Sequence, residues 1–206
     1  VMVGELSDGT PVELNRALVE FDRVITIGSV GFHYFAGFTG GRKLICPGLA
    51  SNRTIAATHR LAFDFERKAR AEGVAPGSLE GNPVHEAFVE AASKVKVDLS
   101  ISTIVNGHGE VTGLFCGDHI GAHIAACENY AASHTVMITR QYEAVLVSCG
   151  GSPFDINLIQ AHKSLEAASR ACNLADGSIF LRNAAMALDQ RLRAQAPTTK
   201  VFSSSL

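Results

Sequence analysis

Gly31-Phe-His-Tyr-Phe-Ala-Gly-Phe-Thr-Gly-Gly-Arg-Lys43 holds the densest set of reactive side chains in this sequence, with His59 following one helix later. Gly37, Gly40 and Gly41 can let backbone N–H groups approach a ligand closely. Thr39, Arg42 and Lys43 add a hydroxyl and two cations, a set suited to phosphate. On these residues alone the segment reads as a nucleotide or phosphate site. A Walker loop spaces its glycines further apart and follows its lysine with Ser or Thr, whereas Leu44 follows Lys43. Phosphate binding leaves His33, His59 and the aromatics Phe32, Tyr34 and Phe35 without a purpose. A neutral imidazole can carry a proton or donate nitrogen to a transition metal, and a deprotonated lysine is a nucleophile. Taken singly, each has a plainer reading: a histidine in a glycine-rich loop is more often structural, and a lone lysine is most simply a phosphate clamp or a solvated charge.

The elements that must position these residues follow from patterning. Asn15 to Phe21 reads as a short helix, and Arg23 to Gly28 as a buried strand ending in glycine. Beyond the loop, Ser51 to Arg70 has the alanine and charge content of a helix, with Ser51 or Asn52 as N-cap. Pro83 to Ala92 is a second helix with Val84, Ala87, Phe88 and Ala91 on one stripe. Val97 to Val105 is a strand, and Asn106 to Gly109 turns into Val111 to Cys116. Ile120 to Ser133 is a helix, Ala144 to Ser148 a strand, and Asn157 to Cys172 a further helix. This alternation predicts an α/β protein with one boundary near residue 140.

The chain has 206 residues, 47% hydrophobic and 18% charged, enough for a sizeable globular core. A net charge of −2 excludes the clustered basic excess that nucleic acid or an anionic membrane demands. No apolar run approaches the roughly 18 residues of a membrane span. Five widely spaced cysteines, Cys46, Cys116, Cys127, Cys149 and Cys172, contain no CxxC pair and argue for a reducing cytoplasm. Small polar ligands are the expected partners. Asp118-His-Ile-Gly-Ala-His123 places His119 and His123 at zinc-compatible spacing, without the glutamate of the His-Glu-x-x-His motif.

His33, the Gly-Gly-Arg-Lys run and His59 together resemble the nickel-dependent lactate racemase family. Ten residues separate His33 from Lys43 and sixteen separate Lys43 from His59, as in that family. Ser7 to Thr10, Asn15-Arg16, Gly81 to Pro83, and Gly117-Asp118 with His123 also match, and the resemblance runs from Val3 to about Leu181. It implies an isomerase that interconverts the enantiomers of a small 2-hydroxy acid. The implied cofactor is a nickel-pincer nucleotide, a pyridinium thioamide/thiocarboxylate mononucleotide carrying nickel. Lys43 would be its covalent attachment point, His59 the protein's nickel ligand, and Thr39, Gly40, Gly41 and Arg42 further cofactor contacts. His33 would be the catalytic acid/base, taking the substrate hydroxyl proton as the α-hydrogen leaves as hydride. Acylation of Lys43 needs its neutral amine, which desolvation and the cationic neighbour Arg42 both favour. The enzymes that make the cofactor become expected partners.

The resemblance also implies two α/β domains with the cofactor site between them, both incomplete in this chain. Residues 1–140 would be the cofactor-holding part and 141–206 the start of the second domain. Gln160 and Lys163, three apart on one helix face, would hold the substrate carboxylate. Ser152, Phe154 and Ile159 depart from the family pattern, which leaves the hydroxy acid unspecified. The family's second catalytic histidine and an arginine lie upstream of anything matched, so this chain is expected to hold cofactor and racemise poorly. From about residue 182 the match stops, as a shifted reading frame would produce, and a non-native tail is expected there. The alternative function is a non-catalytic fragment or degenerate paralogue binding a nucleotide or phosphate through Thr39 to Lys43.

Overall fold

A computed structural model describes residues 1–152, 155–173, 175 and 177–182. Phe154 and the expected non-native tail beyond Arg182 lie outside the described residues. The chain divides into two compact units, Val1–Thr135 and Val136–Leu206. Both mix helix and strand, as the alternating sequence pattern predicts.

The first unit opens with a hairpin, β1 (Met2–Glu5) and β2 (Pro11–Glu13). Its turn is made by Asp8 Oδ1 accepting the Thr10 N–H at 2.8 Å and by Gly9 at φ 83°. The short α1 (Ala17–Glu20) leads to β3 (Ile25–Ser29), which pairs parallel to β8 (Leu99–Val105) further along the chain. Between them come the two-residue strands β4 (Phe32–His33) and β5 (Gly37–Phe38), a 3-10 turn (Gly41–Leu44) and α2 (Asn52–Arg60). A small hairpin follows, β6 (Phe63–Asp64) and β7 (Ala69–Arg70), then α3 (Pro83–Ala92). β9 (Val111–Gly117) returns antiparallel beside β8, and α4 (Gly121–His134) closes the unit. In the second unit β10 (Ala144–Ser148) runs parallel to β11 (Ser178–Arg182), and α5 (Leu158–Ala171) lies between them in sequence.

Ser51 caps α2, its Oγ accepting the Thr54 N–H at 3.3 Å. The helix expected to reach Arg70 stops at Arg60. Asp64 Oδ1 accepts the N–H groups of Glu66 and Arg67 at 3.0 and 2.9 Å, and this side-chain turn outcompetes a helix over residues whose composition alone suits one. α3 keeps its expected bounds because its start carries two independent signals. Asn82 Oδ1 accepts the Val84 and His85 N–H groups, and Pro83 occupies the first helical position. Its stripe of Val84, Phe88 and Ala91 is fully buried against Val12, Ile45 and Cys46. Phe88 is the largest apolar residue of that core, and truncating it to Ala would cost about 3–5 kcal/mol.

Candidate functional site

The glycine-rich segment is folded as β4, a reversal, β5 and the 3-10 turn. His33 faces Gly37 across the β4–β5 pair. Its Nδ1 receives the backbone N–H groups of Phe35 and Ala36 at 3.2 and 3.1 Å. A backbone N–H can only donate, so in the neutral ring Nδ1 is the acceptor and Nε2 carries the hydrogen. The reversal is held from outside by Asn82, whose Nδ2 donates to the Phe35 carbonyl at 2.9 Å while its Oδ1 caps α3. Phe32 packs edge-on against Tyr130 of α4, 5.1 Å between centroids.

His59 has the opposite arrangement. Its Nδ1 lies 2.9 Å from the Ile55 carbonyl oxygen, one helical turn back in α2. A carbonyl can only accept, so Nδ1 carries the hydrogen and Nε2 presents a lone pair. This is the hydrogen-bond pattern that orients a metal-ligating imidazole. Burial lowers the His59 pKa below the usual histidine value. The bond to Ile55 opposes that shift and the Lys43 charge adds to it. The ring therefore favours the neutral form that ligation needs.

Lys43 sits in the middle of the 3-10 turn, half-buried, its N–H bonded to the Gly40 carbonyl at 3.0 Å. Its Nζ lies 5.6 Å from the centroid of the Phe88 ring, and the His59 ring is 5.4 Å from the same centroid. Phe88 is thus a shared apolar floor under the ammonium and the imidazole. Cys46, fully buried close by, has its thiol pushed up to about 11 by burial, which keeps it protonated and inert.

The other residues expected to contact a ligand serve the loop itself. Arg42 is only 1% exposed, and its guanidinium donates to the carbonyls of Phe38 and Ala36 rather than pointing outward. Adjacent residues of a 3-10 turn are rotated by about 120°, so one of two neighbouring cations faces inward. Thr39 Oγ1 donates to the Ser29 carbonyl at 3.1 Å. A Cβ on Gly40 would meet the Ser29 carbonyl oxygen at 2.9 Å, and one on Gly41 would meet the His123 ring at 2.4 Å. These glycines are therefore required by protein packing. Of the expected cofactor contacts Thr39, Gly40, Gly41 and Arg42, the Thr39 hydroxyl and the Arg42 guanidinium are thus bonded to the loop's own backbone.

Just before α4, Asp118 Oδ1 accepts the Ile120 and Gly121 N–H groups. His119 precedes α4 and so does not share a helix face with His123, which is 2% exposed and turned to the glycine-rich turn. Among the described residues, no group of three or more His, Cys, Asp or Glu is placed to hold a metal ion. His59 thus offers a single protein donor. His85 is partly buried, with Nδ1 unpartnered among the described residues. Burial and the Arg42 charge bring its pKa down to about 4.

In the second unit, Gln160 and Lys163 share one face of α5, and Lys163 Nζ donates to Gln160 Oε1 at 2.8 Å. Three residues outside the expected site set bear on it: Phe88, Asn82 and His123. Asn82-Pro83 carried a legible capping signal, and Phe88 a legible core stripe. Nothing in the sequence linked His123 to Arg42.

Comparison with known proteins gives concordant results. Residues 1–71 match the lactate racemase N-terminal domain family. The lactate racemase of Thermoanaerobacterium thermosaccharolyticum is 33% identical over 180 residues, covering 87% of this chain and 40% of that protein. The lactate racemase of Lactiplantibacillus plantarum is 33% identical over 181 residues, covering 88% and 41% respectively. The apoprotein structure of the Thermoanaerobacterium enzyme superposes with a TM-score of 0.80 at 30% identity, over 89% of this chain and 43% of that one. A Thermotoga maritima protein shares the fold, with a TM-score of 0.66 at 21% identity over 88% of this chain and 47% of that one. The chain therefore spans about two fifths of the length of the curated relatives it matches.

Proposed function

Because the chain belongs to the lactate racemase family, we propose that it carries the cofactor anchor of a 2-hydroxy-acid racemase, with a nickel-pincer nucleotide attached through Lys43. The observation that carries this reading is the pairing of Lys43 with His59 over Phe88, with His59 Nε2 left as a lone pair. An amine and a single imidazole donor suit a group that brings its own remaining nickel ligands. When bound, that group would supply the acceptor and donor of the hydride at the substrate's α-carbon.

The chain's own residues then divide the work. Lys43 holds the group covalently, and His59 offers nitrogen to the metal. His33 exchanges a proton with the substrate oxygen at Nε2. Its two backbone bonds hold the neutral ring with the hydrogen on Nε2, from where it can donate a hydrogen bond to that oxygen; taking up a proton at Nε2 requires the ring to move its hydrogen to Nδ1 and give up those bonds. Gln160 and Lys163 are the proposed carboxylate contacts. Five cysteines with no disulfide support a reducing, cytoplasmic setting. Among the described residues, no helix is long and apolar enough to cross a membrane.

The test is intact mass and elemental analysis after co-expression with the cofactor-making enzymes. The reading expects a mass gain localised to Lys43, together with nickel. It expects neither in Lys43→Ala. An unmodified Lys43 in the wild-type chain overturns it. The phosphate-binding alternative gains no support from the Thr39 hydroxyl or the Arg42 guanidinium, which are bonded to backbone carbonyls.

A further inference from the structure

We propose that His123 and Arg42 form a positioning pair that sets the direction in which Lys43 is presented. The inference rests on Lys43 being the attachment point. It adds a residue from α4, eighty positions away, to the machinery of that site.

Arg42 and Lys43 are successive residues of one 3-10 turn, so fixing the first fixes the second. Arg42 is fixed by its guanidinium. Nη1 donates to the Phe38 carbonyl at 3.0 Å and lies 3.4 Å from that of Gly40, while Nη2 donates to the Ala36 carbonyl. These three carbonyls span the strand that enters the turn, so one planar cation ties entry and turn together.

His123 completes the arrangement from outside. Its Nε2 lies 3.0 Å from Arg42 Nη1 and 2.9 Å from the Thr39 carbonyl oxygen. Either tautomer bonds to the turn, as acceptor from the guanidinium or as donor to Thr39. The ring also lies flush against Gly41, where an added Cβ would come within 2.4 Å of Cγ. Cys127, one helical turn on, places Sγ 3.3 Å from Nε2 and closes the far side. Burial holds His123 down to about 4 and the Cys127 thiol up to about 12, so both stay uncharged beside the guanidinium.

The alternative, that His123 is a core residue with no bearing on Lys43, makes a different prediction. Both can be separated by competitive acetylation with acetic anhydride, read by mass spectrometry as the Lys43 rate relative to exposed Lys96. Circular dichroism and thermal melting confirm that each variant is folded. His123→Leu removes both polar links at similar volume, and the Lys43/Lys96 rate ratio should change by about fivefold or more. His123→Gln restores a donor and an acceptor at the same reach and should return the ratio to within about twofold. Arg42→Lys, which keeps charge but loses the planar fork, should behave like His123→Leu. A folded His123→Leu chain whose Lys43 labels like wild type overturns the proposal. Should that variant fail to fold, His123→Asn takes its place, and an unchanged ratio there overturns it equally. If Lys43 is not the attachment point, co-expression leaves it unmodified while the labelling differences persist, so the two failures are distinguishable.

Discussion

His33 and His59 are the same residue type, in the same unit, and they are set up as opposites. His33 Nδ1 is met by two backbone donors, His59 Nδ1 by one backbone acceptor. The first ring therefore presents N–H at Nε2 and the second a lone pair. A reversal of extended chain aims amide hydrogens inward, whereas a helix offers each side chain the carbonyl four residues back. Secondary structure thus sets which imidazole presents N–H and which a lone pair at Nε2.

The largest effect expected from this contrast is on metal retention. In protein co-expressed with the cofactor-making enzymes, His59→Ala should lower nickel per chain by about tenfold or more. His33→Ala should leave nickel within about twofold, because its Nε2 is no donor to a metal. Equal losses from the two variants would end the division of labour. Imidazole ¹⁵N spectra of the unloaded chain address the same contrast directly. They should show His33 protonated at Nε2 and His59 at Nδ1, and matching tautomers would overturn one of the two hydrogen-bond assignments and with it the contrast.

Acid sharpens the contrast through a third histidine. His123 has a folded pKa of about 4, below the roughly 6.5 of an unfolded histidine, so the unfolded chain takes up its proton first as pH falls. Its contribution is complete above about pH 6.5 and is lost progressively toward pH 4. The loss should be on the order of 2–3 kcal/mol from this residue. Urea unfolding at pH 7 and pH 4.5 should show that slope in wild type and a shallower one in His123→Gln.

Asn82→Ala removes both the α3 cap and the bond to the Phe35 carbonyl, and should cost about 1–2 kcal/mol in urea unfolding. Because Asn82 bonds directly to the His33 reversal and reaches His59 only through α3 and Phe88, the His33 tautomer signal should broaden more than that of His59. Arg60→Ala is expected to do least, about 0.5 kcal/mol, since its guanidinium lies 4.6 Å from the centroid of the exposed Phe65 ring. A larger loss would mean that the β6–β7 hairpin, rather than the Ile55 carbonyl, keeps His59 in place.

Much of this was readable from the residues, and the exceptions share a cause. α3 was legible because Asn82, Pro83 and an apolar stripe all report locally. β8 and its turn into β9 were legible through Asn106, which accepts from His108 and Glu110 in the turn. α2 was overextended because Leu61 to Arg70 has helical composition, and only the Asp64 side chain decides otherwise. The spacing of His33, Lys43 and His59 was visible, but the hydrogen-bond sense of each ring was not, since it depends on backbone direction. Arg42 was read as facing a ligand because sequence cannot tell which of two adjacent cations turns inward. That depends on His123, a partner eighty-one residues away.

The division of the chain at Thr135 has an evolutionary corollary. Lys43, His59, Phe88, Asn82, Arg42 and His123 all fall in the first unit, whereas Gln160 and Lys163 fall in the second. On the proposed reading, anchoring is inherited as one block and substrate choice as another. Departures such as Ile159 belong to the second block. A lineage could change which hydroxy acid it handles while keeping its prosthetic chemistry constant, and a designer could graft the first block under a different recognition surface.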